Sequence, residues 1–325
     1  MADKGRRYAA LDFGAESGLT IIGTIADDKL TIEPVHRSPN VPVKMGGTLY
    51  WDFPRQFNDI LDGLRKASAD GPVHSVSVDT WGVDYGYLDA RGRLIGNPVH
   101  YRDARHETMP DEAFKVIPRD ELYMATGIQF MSINTIFQML SEVKAKDPIL
   151  EQADKMLMMP DIFNHFLCGV DVAEYTEATT GQTVDPWTKD WARPVFDRLG
   201  IPTHFLPEIV QPGTELGPLL ADVADATGCK GATVVAGASH DTPSAVAAVP
   251  LAGPSTAYIS SGTWSLVGLE VEDPVVTEAT LEANVTNEGG YGGTITLLKN
   301  CMGLWPVQQS RKALWPGEGA PSYEE

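Results

Sequence analysis

Two short stretches far apart in the chain share one design, and that repetition limits the possible folds more than any other feature. Tyr8 to Phe13 reads as a strand carrying Asp12 at its end, Gly14-Ala15-Glu16-Ser17-Gly18 as a small-residue turn, and Leu19 to Ile25 as a returning strand. About 250 residues later Ser255 to Ser260 reads as a strand, Ser261-Gly262-Thr263-Trp264 as a tight turn, and Ser265 to Leu269 as its return. A turn rich in free backbone amides can cradle phosphate oxygens, and a carboxylate at the strand end can hold a hydrated magnesium ion beside them. One such unit is equally an ordinary hairpin. Two of them, each heading a domain-sized unit, predict two related halves closing on one nucleotide from opposite sides.

Between them lies Gly237-Ala238-Ser239-His240-Asp241-Thr242-Pro243-Ser244-Ala245, after a short apolar strand at Ala232 to Ala236 and before an Ala/Val segment with helical character. Small residues let a ligand approach the backbone. Asp241 at this strand-to-helix turn could accept a proton from a bound hydroxyl, or it could simply cap the helix, with Pro243 in the first turn.

The intervening chain alternates strands and helices. Phe57, Ile60, Leu61 and Leu64 give an amphipathic helix over Phe53 to Ala67, and Val73 to Val78 forms a strand ending in Asp79-Thr80-Trp81-Gly82-Val83-Asp84-Tyr85. Pro98-Val99-His100-Tyr101-Arg102-Asp103-Ala104-Arg105 follows. Charged forks beside an indole suit a polyol, whose hydroxyls and C–H surface they match, but the same set could be an ion pair over a core Trp. Helical patterns over 111–124 and 133–145 flank a loop with Gln129, and Asn134 follows it; both amides could bind a sugar or tie down the loop. Met156 to Met159 reads as a strand, Pro160 to Leu167 as a helix, Tyr175 to Thr180 as a polar turn, and the Pro-rich 201–218 as a surface connection.

Composition narrows the partners. A formal net charge of −19 argues against the backbone of nucleic acids. No apolar run approaches a bilayer span, so no membrane partner is expected. The three scattered cysteines, Cys168, Cys229 and Cys301, and the polar N-terminus fit a reducing cytoplasm. There is no Walker A loop and no GxGxxG fingerprint. Nothing in the sequence sets an oligomeric state.

The segments Asp12-Phe-Gly-Ala-Glu-Ser-Gly18, Asp79-Thr-Trp-Gly-Val-Asp84, Tyr101-Arg-Asp-Ala-Arg105 and Ala238-Ser-His-Asp-Thr242 come in an order and spacing that is familiar. So do Ser260-Ser-Gly-Thr-Trp-Ser-Leu266, Asn287-Glu-Gly-Gly290 and Leu298-Lys-Asn-Cys-Met-Gly-Leu-Trp305. Across nearly all its length the chain resembles the FGGY carbohydrate kinases of the actin-like ATPase superfamily. The resemblance implies an α/β actin-like (ribonuclease H-like) fold, with a sugar-binding and catalytic domain over 1–248 and a partial nucleotide-binding domain over 249–325. It implies a cytoplasmic transfer of the ATP γ-phosphoryl group, with Mg2+, to the 1-hydroxyl of a ketose. The hexad at Asp79 favours L-rhamnulose over L-fuculose or L-xylulose.

Carried over by position, Asp241 would be the base and Asp12 the metal ligand. Gly14, Ala15, Glu16, Ser17, Gly18, Gly262 and Thr263 would grip the phosphates. Thr80, Trp81, Gly82, Asp84, Arg102, Asp103, Gln129, Asn134 and His240 would line the sugar site. Two features depart from the pattern. Leu19 stands where the family usually carries an arginine that meets the transferred phosphate. Family members also continue for on the order of 150 further residues, a small domain's worth. The expectation is therefore a truncated or proteolysed kinase, with a shortened sugar-binding non-enzyme as the alternative, and with residues 251–325 leaving a sheet edge and a core face uncovered.

Overall fold

The computed structural model describes residues 5–253 and 255–315. Its centre is a six-stranded mixed sheet. In chain order its strands are β1 (Arg6–Phe13), β2 (Ser17–Ala26), β3 (Lys29–Pro39), β4 (Ser75–Thr80), β5 (Thr214–Pro218) and β6 (Thr233–Ala236). Their spatial order is β5-β6-β4-β1-β2-β3. β1 runs parallel to β4, and β4 parallel to β6, while β2, β3 and β5 are antiparallel to their neighbours. The parallel centre matters for function, because it brings the C-terminal ends of β1, β4 and β6 to one edge of the molecule, where open α/β sheets bind ligands.

Helix α1 (Phe53–Ala69) covers this sheet. Asp52 caps it by accepting from the Arg55 backbone N–H, Pro54 starts its first turn, and Phe53, Ile60, Leu64 and Ala67 are buried along one stripe. Helix α2 (Thr135–Ala145) is buried along most of its length, and α3 (Met159–Cys168) packs Phe163 against Phe13 and Phe53. One aromatic and aliphatic cluster joins the sheet to α1 and α3, and another surrounds Phe137, Tyr175, Phe196 and Phe205.

A separate four-stranded antiparallel sheet follows: β7 (Ala257–Ser261), β8 (Trp264–Val271), β9 (Thr286–Gly289) and β10 (Ile295–Met302), ordered β7-β8-β10-β9. Tyr258, Leu266, Ile295 and Leu298 are buried, whereas Ile259, Val267 and Met302 are exposed and β7 pairs on one side only. Among the described residues, the edge and apolar face expected to lie open in this region are uncovered.

Two readings of the sequence change. The Pro-rich stretch before 218 is not only a surface connection: Thr214–Pro218 forms the edge strand β5, bulged between Glu215 and Gly217 and ending in Pro218, a position an edge tolerates. The polar turn at 175–180 is a fully buried helical turn (Tyr175–Ala178) running into a 3-10 turn (Thr179–Gly181). Its threonine hydroxyls are hydrogen-bonded inside the protein. The long strand β3 was not anticipated.

Candidate active site

The site starts from strand ends. Asp12 on β1 and Asp79 on β4 are register partners, so their carboxylates leave the sheet side by side. The turn after β6 lies alongside: the Thr80 N–H donates to Ser239 O at 2.9 Å, and Thr80 bridges His240. A side chain at Gly237 would meet Ser77 Oγ at 2.6 Å, so glycine is what lets the turn approach β4. His240, extended at φ −83°, occupies the cap position, and Asp241 is the first residue of the helix Asp241–Ala247. Asp241 therefore does not cap that helix. Its side chain, 42% exposed, lines the open cleft instead.

The turn is fixed from behind by Glu174, which the sequence reading missed. Its carboxylate accepts from the N–H groups of Ser239 (3.1 Å), Thr176 (3.0 Å) and Glu177 (3.2 Å) and from Thr176 Oγ1, while the His240 N–H donates to Thr176 Oγ1 at 3.3 Å. Nothing in the local sequence marks this role, since it depends on a contact more than 60 residues long.

The cleft holds about 480 Å³. One wall is the tip at Gly14, Ala15, Glu16 and Ser17, closed by Gly14 N–H to Ser17 O (3.0 Å) and braced by Asn40, whose amide donates to Gly14 O at 2.9 Å. Ser260 to Trp264 form another part of the cleft lining, where Gly262 N–H donates to Trp264 O at 2.7 Å. Trp81, Gly82, Gln129, Asn134 and His240 line the same cleft. Gln129 is also committed to the second sheet, accepting from Asn300 N–H at 2.8 Å, and Asn134 donates to Gln129 O and Gln182 Oε1.

Other expected contacts are placed elsewhere. Gly18 lies within β2, where a side chain would meet the Phe13 ring at 2.5 Å, so close packing is its reason rather than phosphate. Thr80 is fully buried and donates to Trp81 O. Asp84 is fully buried, accepting from Trp51 Nε1 (2.6 Å), Trp81 Nε1 (3.0 Å), Gln138 Nε2 (3.1 Å) and Tyr101 N–H (3.2 Å). Asp103 accepts from the N–H groups of Leu49 and Arg105. The Arg102 guanidinium sits over Tyr101, Trp264 and Trp305, tying the first body to the second sheet and the helix Trp305–Leu314. Asp84 and Asp103 are thus held by neutral indole, amide and backbone donors beside Trp51 and Trp81, rather than in the ion pair that was the alternative to a sugar site.

The electrostatics are acidic. Among the described residues lining the cleft, the charged ones are Asp12, Glu16, Asp241 and Glu288, with His240, and no lysine or arginine joins them. Burial, then the charge of Asp241, raises the Asp12 pKa, with Arg37 opposing; burial, then Asp12 and Asp241, raises Asp79 strongly. Enclosure by the walls also raises Asp241, with His240 opposing. Such crowded hard oxygens suit a divalent cation. Among the described residues no three acidic, His or Cys side chains could hold one alone, so Asp12 would share an ion with phosphate oxygens and water, which is how magnesium usually binds. Arg37 stands directly across from Leu19 on β3, and its Nη1 donates to Ser17 Oγ at 3.4 Å.

The buried acids make a prediction for stability. Burial lifts Asp84 to about 6 and Glu174 to about 7, against 3.8 and 4.5. The folded state then takes up these protons first, so their contribution is complete at low pH and lost as pH rises through 6–7. Burial pushes His100 down to about 3 and His106 to about 4, which opposes this below 6.5. The thermal midpoint should rise as pH falls from 8 toward about 6.5 and then level off. A midpoint falling steadily on acidification from pH 8 would contradict these assignments.

Comparison with known proteins agrees with this geometry. Residues 8–248 match the N-terminal domain of the FGGY family of carbohydrate kinases. The chain is 41% identical over 307 residues to a rhamnulokinase of Bacteroides thetaiotaomicron, covering 94% of this chain and 63% of that protein. It is 39% identical to a rhamnulokinase of Oceanobacillus iheyensis, covering 93% and 64%. It thus spans less than two thirds of these relatives' length. Among solved structures it is similar to a ligand-bound xylulose kinase from Lactobacillus acidophilus, with a TM-score of 0.83 at 17% identity over 97% of this chain and 64% of that one. A Plasmodium falciparum glycerol kinase with ADP gives 0.80 at 13%, covering 95% and 64%. The α/β fold is that of the actin-like sugar kinases, and, with the matched domain spanning most of its length, the chain belongs to the FGGY family of carbohydrate kinases.

Proposed function

We propose that this chain carries the sugar-binding and catalytic part of an ATP-dependent ketose kinase that phosphorylates the 1-hydroxyl of L-rhamnulose, with a domain boundary near 248. The observation that carries the reading is Asp241, a carboxylate that lines one cleft together with two small-residue tips. L-Rhamnulose is favoured because relatives at 37–41% identity are rhamnulokinases.

In the reaction the sugar oxygen attacks the γ-phosphorus, the bond to the bridging β–γ oxygen breaks, ADP leaves, and the hydroxyl proton passes to Asp241. A carboxylate is a weak base toward an alcohol, so Asp241 orients the hydroxyl and takes its proton late. The chain's other work is positioning. Trp81 offers an apolar face to the sugar, and the Gly14–Ser17 and Gly262–Thr263 tips would border the phosphates with backbone amides other than those of Gly14 and Gly262, which are taken by Ser17 O and Trp264 O. Asp12 would hold the magnesium ion, which neutralises phosphate charge when bound. The assay is ATP-dependent ADP release with L-rhamnulose, L-fuculose and L-xylulose side by side. L-Rhamnulose should give the highest kcat/KM; sugar binding with no ADP release from any ketose would favour a binding protein.

Arg37, across from Leu19 and reaching Ser17 Oγ at 3.4 Å, would serve the phosphates in place of an arginine at position 19. Hydrogen bonds to charged groups contribute about 1.5–3 kcal/mol, so Arg37→Gln should raise the KM for ATP roughly tenfold to hundredfold. An unchanged ATP KM would remove Arg37 from the phosphate site.

A further inference from the structure

We propose that Glu288, delivered by the second sheet, is a positioning residue for the catalytic turn of the first: it holds His240 so that Nε2 faces one carboxylate oxygen of Asp241 and leaves the other for the reacting hydroxyl. This rests on the reading of Asp241 as the base, and it names a residue that ties the two halves of the site together.

The geometry is a chain of three groups. Glu288 Oε2 lies 3.2 Å from His240 Nδ1, and His240 Nε2 lies 3.4 Å from Asp241 Oδ1. The His240 and Glu288 side chains are 9% and 5% exposed, so solvent screens their attraction little. Glu288 reaches the turn because β9 is fastened to the first body on both sides of it. Asn287 donates to Gly127 O from its backbone N–H and from Nδ2, each at 2.9 Å, and its Oδ1 accepts from Val275 N–H at 2.7 Å. Gly289 N–H donates to Thr179 Oγ1 at 2.8 Å, and a side chain at 289 would meet the Tyr175 ring at 2.5 Å. A buried carboxylate held this firmly in front of an imidazole fixes both the ring's orientation and its charge.

The groups facing His240 from every side are Glu288 on β9, Asp241 on its own helix and Glu174 behind the turn; Tyr258 on β7 flanks Glu288, and Asp12 and Asp79 face Asp241. Burial alone would lower the His240 pKa, but the close contact and charge of Glu288, 3.2 Å from Nδ1, followed by the charges of Asp241 and Glu174, outweigh it and raise the value. The protonated ring that this rise favours would in turn favour the ionised form of Asp241. If the halves separate, Glu288 leaves with the second sheet and the base loses its partner. Closure and base activation are then one event.

The test has an arm that needs no turnover. Ring-labelled histidine NMR follows the His240 imidazole, identified by the signal missing from His240→Asn. Glu288→Gln should lower its titration midpoint by about one unit or more, a tenfold change in proton affinity. A midpoint unmoved in a folded Glu288→Gln protein overturns the proposal whether or not the chain is a kinase. If that variant unfolds, Glu288→Asp keeps the charge and should hold the midpoint near the wild-type value; a fall to 6.5 or below overturns it. In a form that turns over, Glu288→Gln should lower kcat roughly tenfold to hundredfold with the ketose KM within about twofold. The acid limb of kcat should move to higher pH. In a His240→Asn background the same change should add less than about twofold, because the two residues act as one unit. Additive losses would mean that Glu288 supports only the fold.

Discussion

Asp241→Asn should lower kcat for ketose phosphorylation by roughly 10²–10⁴-fold, the range for removing a positioned general base, with ketose KM changed little. The side chains are nearly the same size, and the Asn carbonyl can still accept from Thr242 Oγ1, which donates to Asp241 Oδ1 at 3.1 Å, so the turn keeps that hydrogen bond. Removing its charge also relieves Asp12 and Asp79, whose pKa values it helps to raise, so the variant should be at least as stable as the wild type. Loss of turnover with retained stability is the signature of a chemical role. The check is steady-state ADP release beside thermal unfolding of the same preparation. Near-normal turnover would end the assignment of Asp241 as the base.

Asp84→Ala should produce the opposite signature, a loss of folding stability of roughly 3 kcal/mol or more, because several buried donors are orphaned at about 1–3 kcal/mol each. Those donors are Trp51 Nε1, Trp81 Nε1, Gln138 Nε2 and the Tyr101 N–H, all gathered on one fully buried carboxylate. The total is less than their sum, since the wild type spends free energy keeping a charge dry, as the rise of its pKa to about 6 shows. Asp84→Asn separates the roles. Its carbonyl can still serve Trp51, Trp81 and Tyr101, while its NH2 faces another donor on Gln138, so it should cost roughly 1–2 kcal/mol. Urea unfolding measures both. A tenfold rise in ketose KM for Asp84→Asn with unchanged stability would instead make Asp84 a sugar ligand.

These two aspartates show what the sequence can and cannot convey. Strand–turn–strand units, the amphipathic stripe of α1 and the small-residue turn before Asp241 are local patterns, and each was legible because burial period and turn chemistry are written in consecutive residues. The burial of Asp84 was not, since a Trp-rich segment with an acid reads alike as a sugar platform or a core network until the partners arrive from Trp51, Tyr101 and Gln138. Glu174 and Glu288 were missed as site residues for the same reason: each acts through a turn more than 45 residues away in sequence. Tyr175 to Thr180 misled in the other direction. It read as a polar turn, but its threonine hydroxyls are bonded inside the protein, as when Thr180 Oγ1 accepts from the Val83 N–H, while the Tyr175 hydroxyl is buried without a partner among the described residues. Leu19 remains a departure from the family pattern, and strand pairing adds only that Arg37 stands opposite it, outside the cleft lining.

The central claim is that a ketose lies in this cleft with its reacting hydroxyl on Asp241. A crystal structure of the chain with L-rhamnulose tests it most directly. The account predicts a sugar hydroxyl oxygen within about 3.2 Å of the Asp241 carboxylate, the ring or chain carbons against Trp81, and the open side facing the Gly14–Ser17 and Gly262–Thr263 tips. Sugar bound elsewhere on the protein, or bound in the cleft with Asp241 touching no hydroxyl, would contradict it.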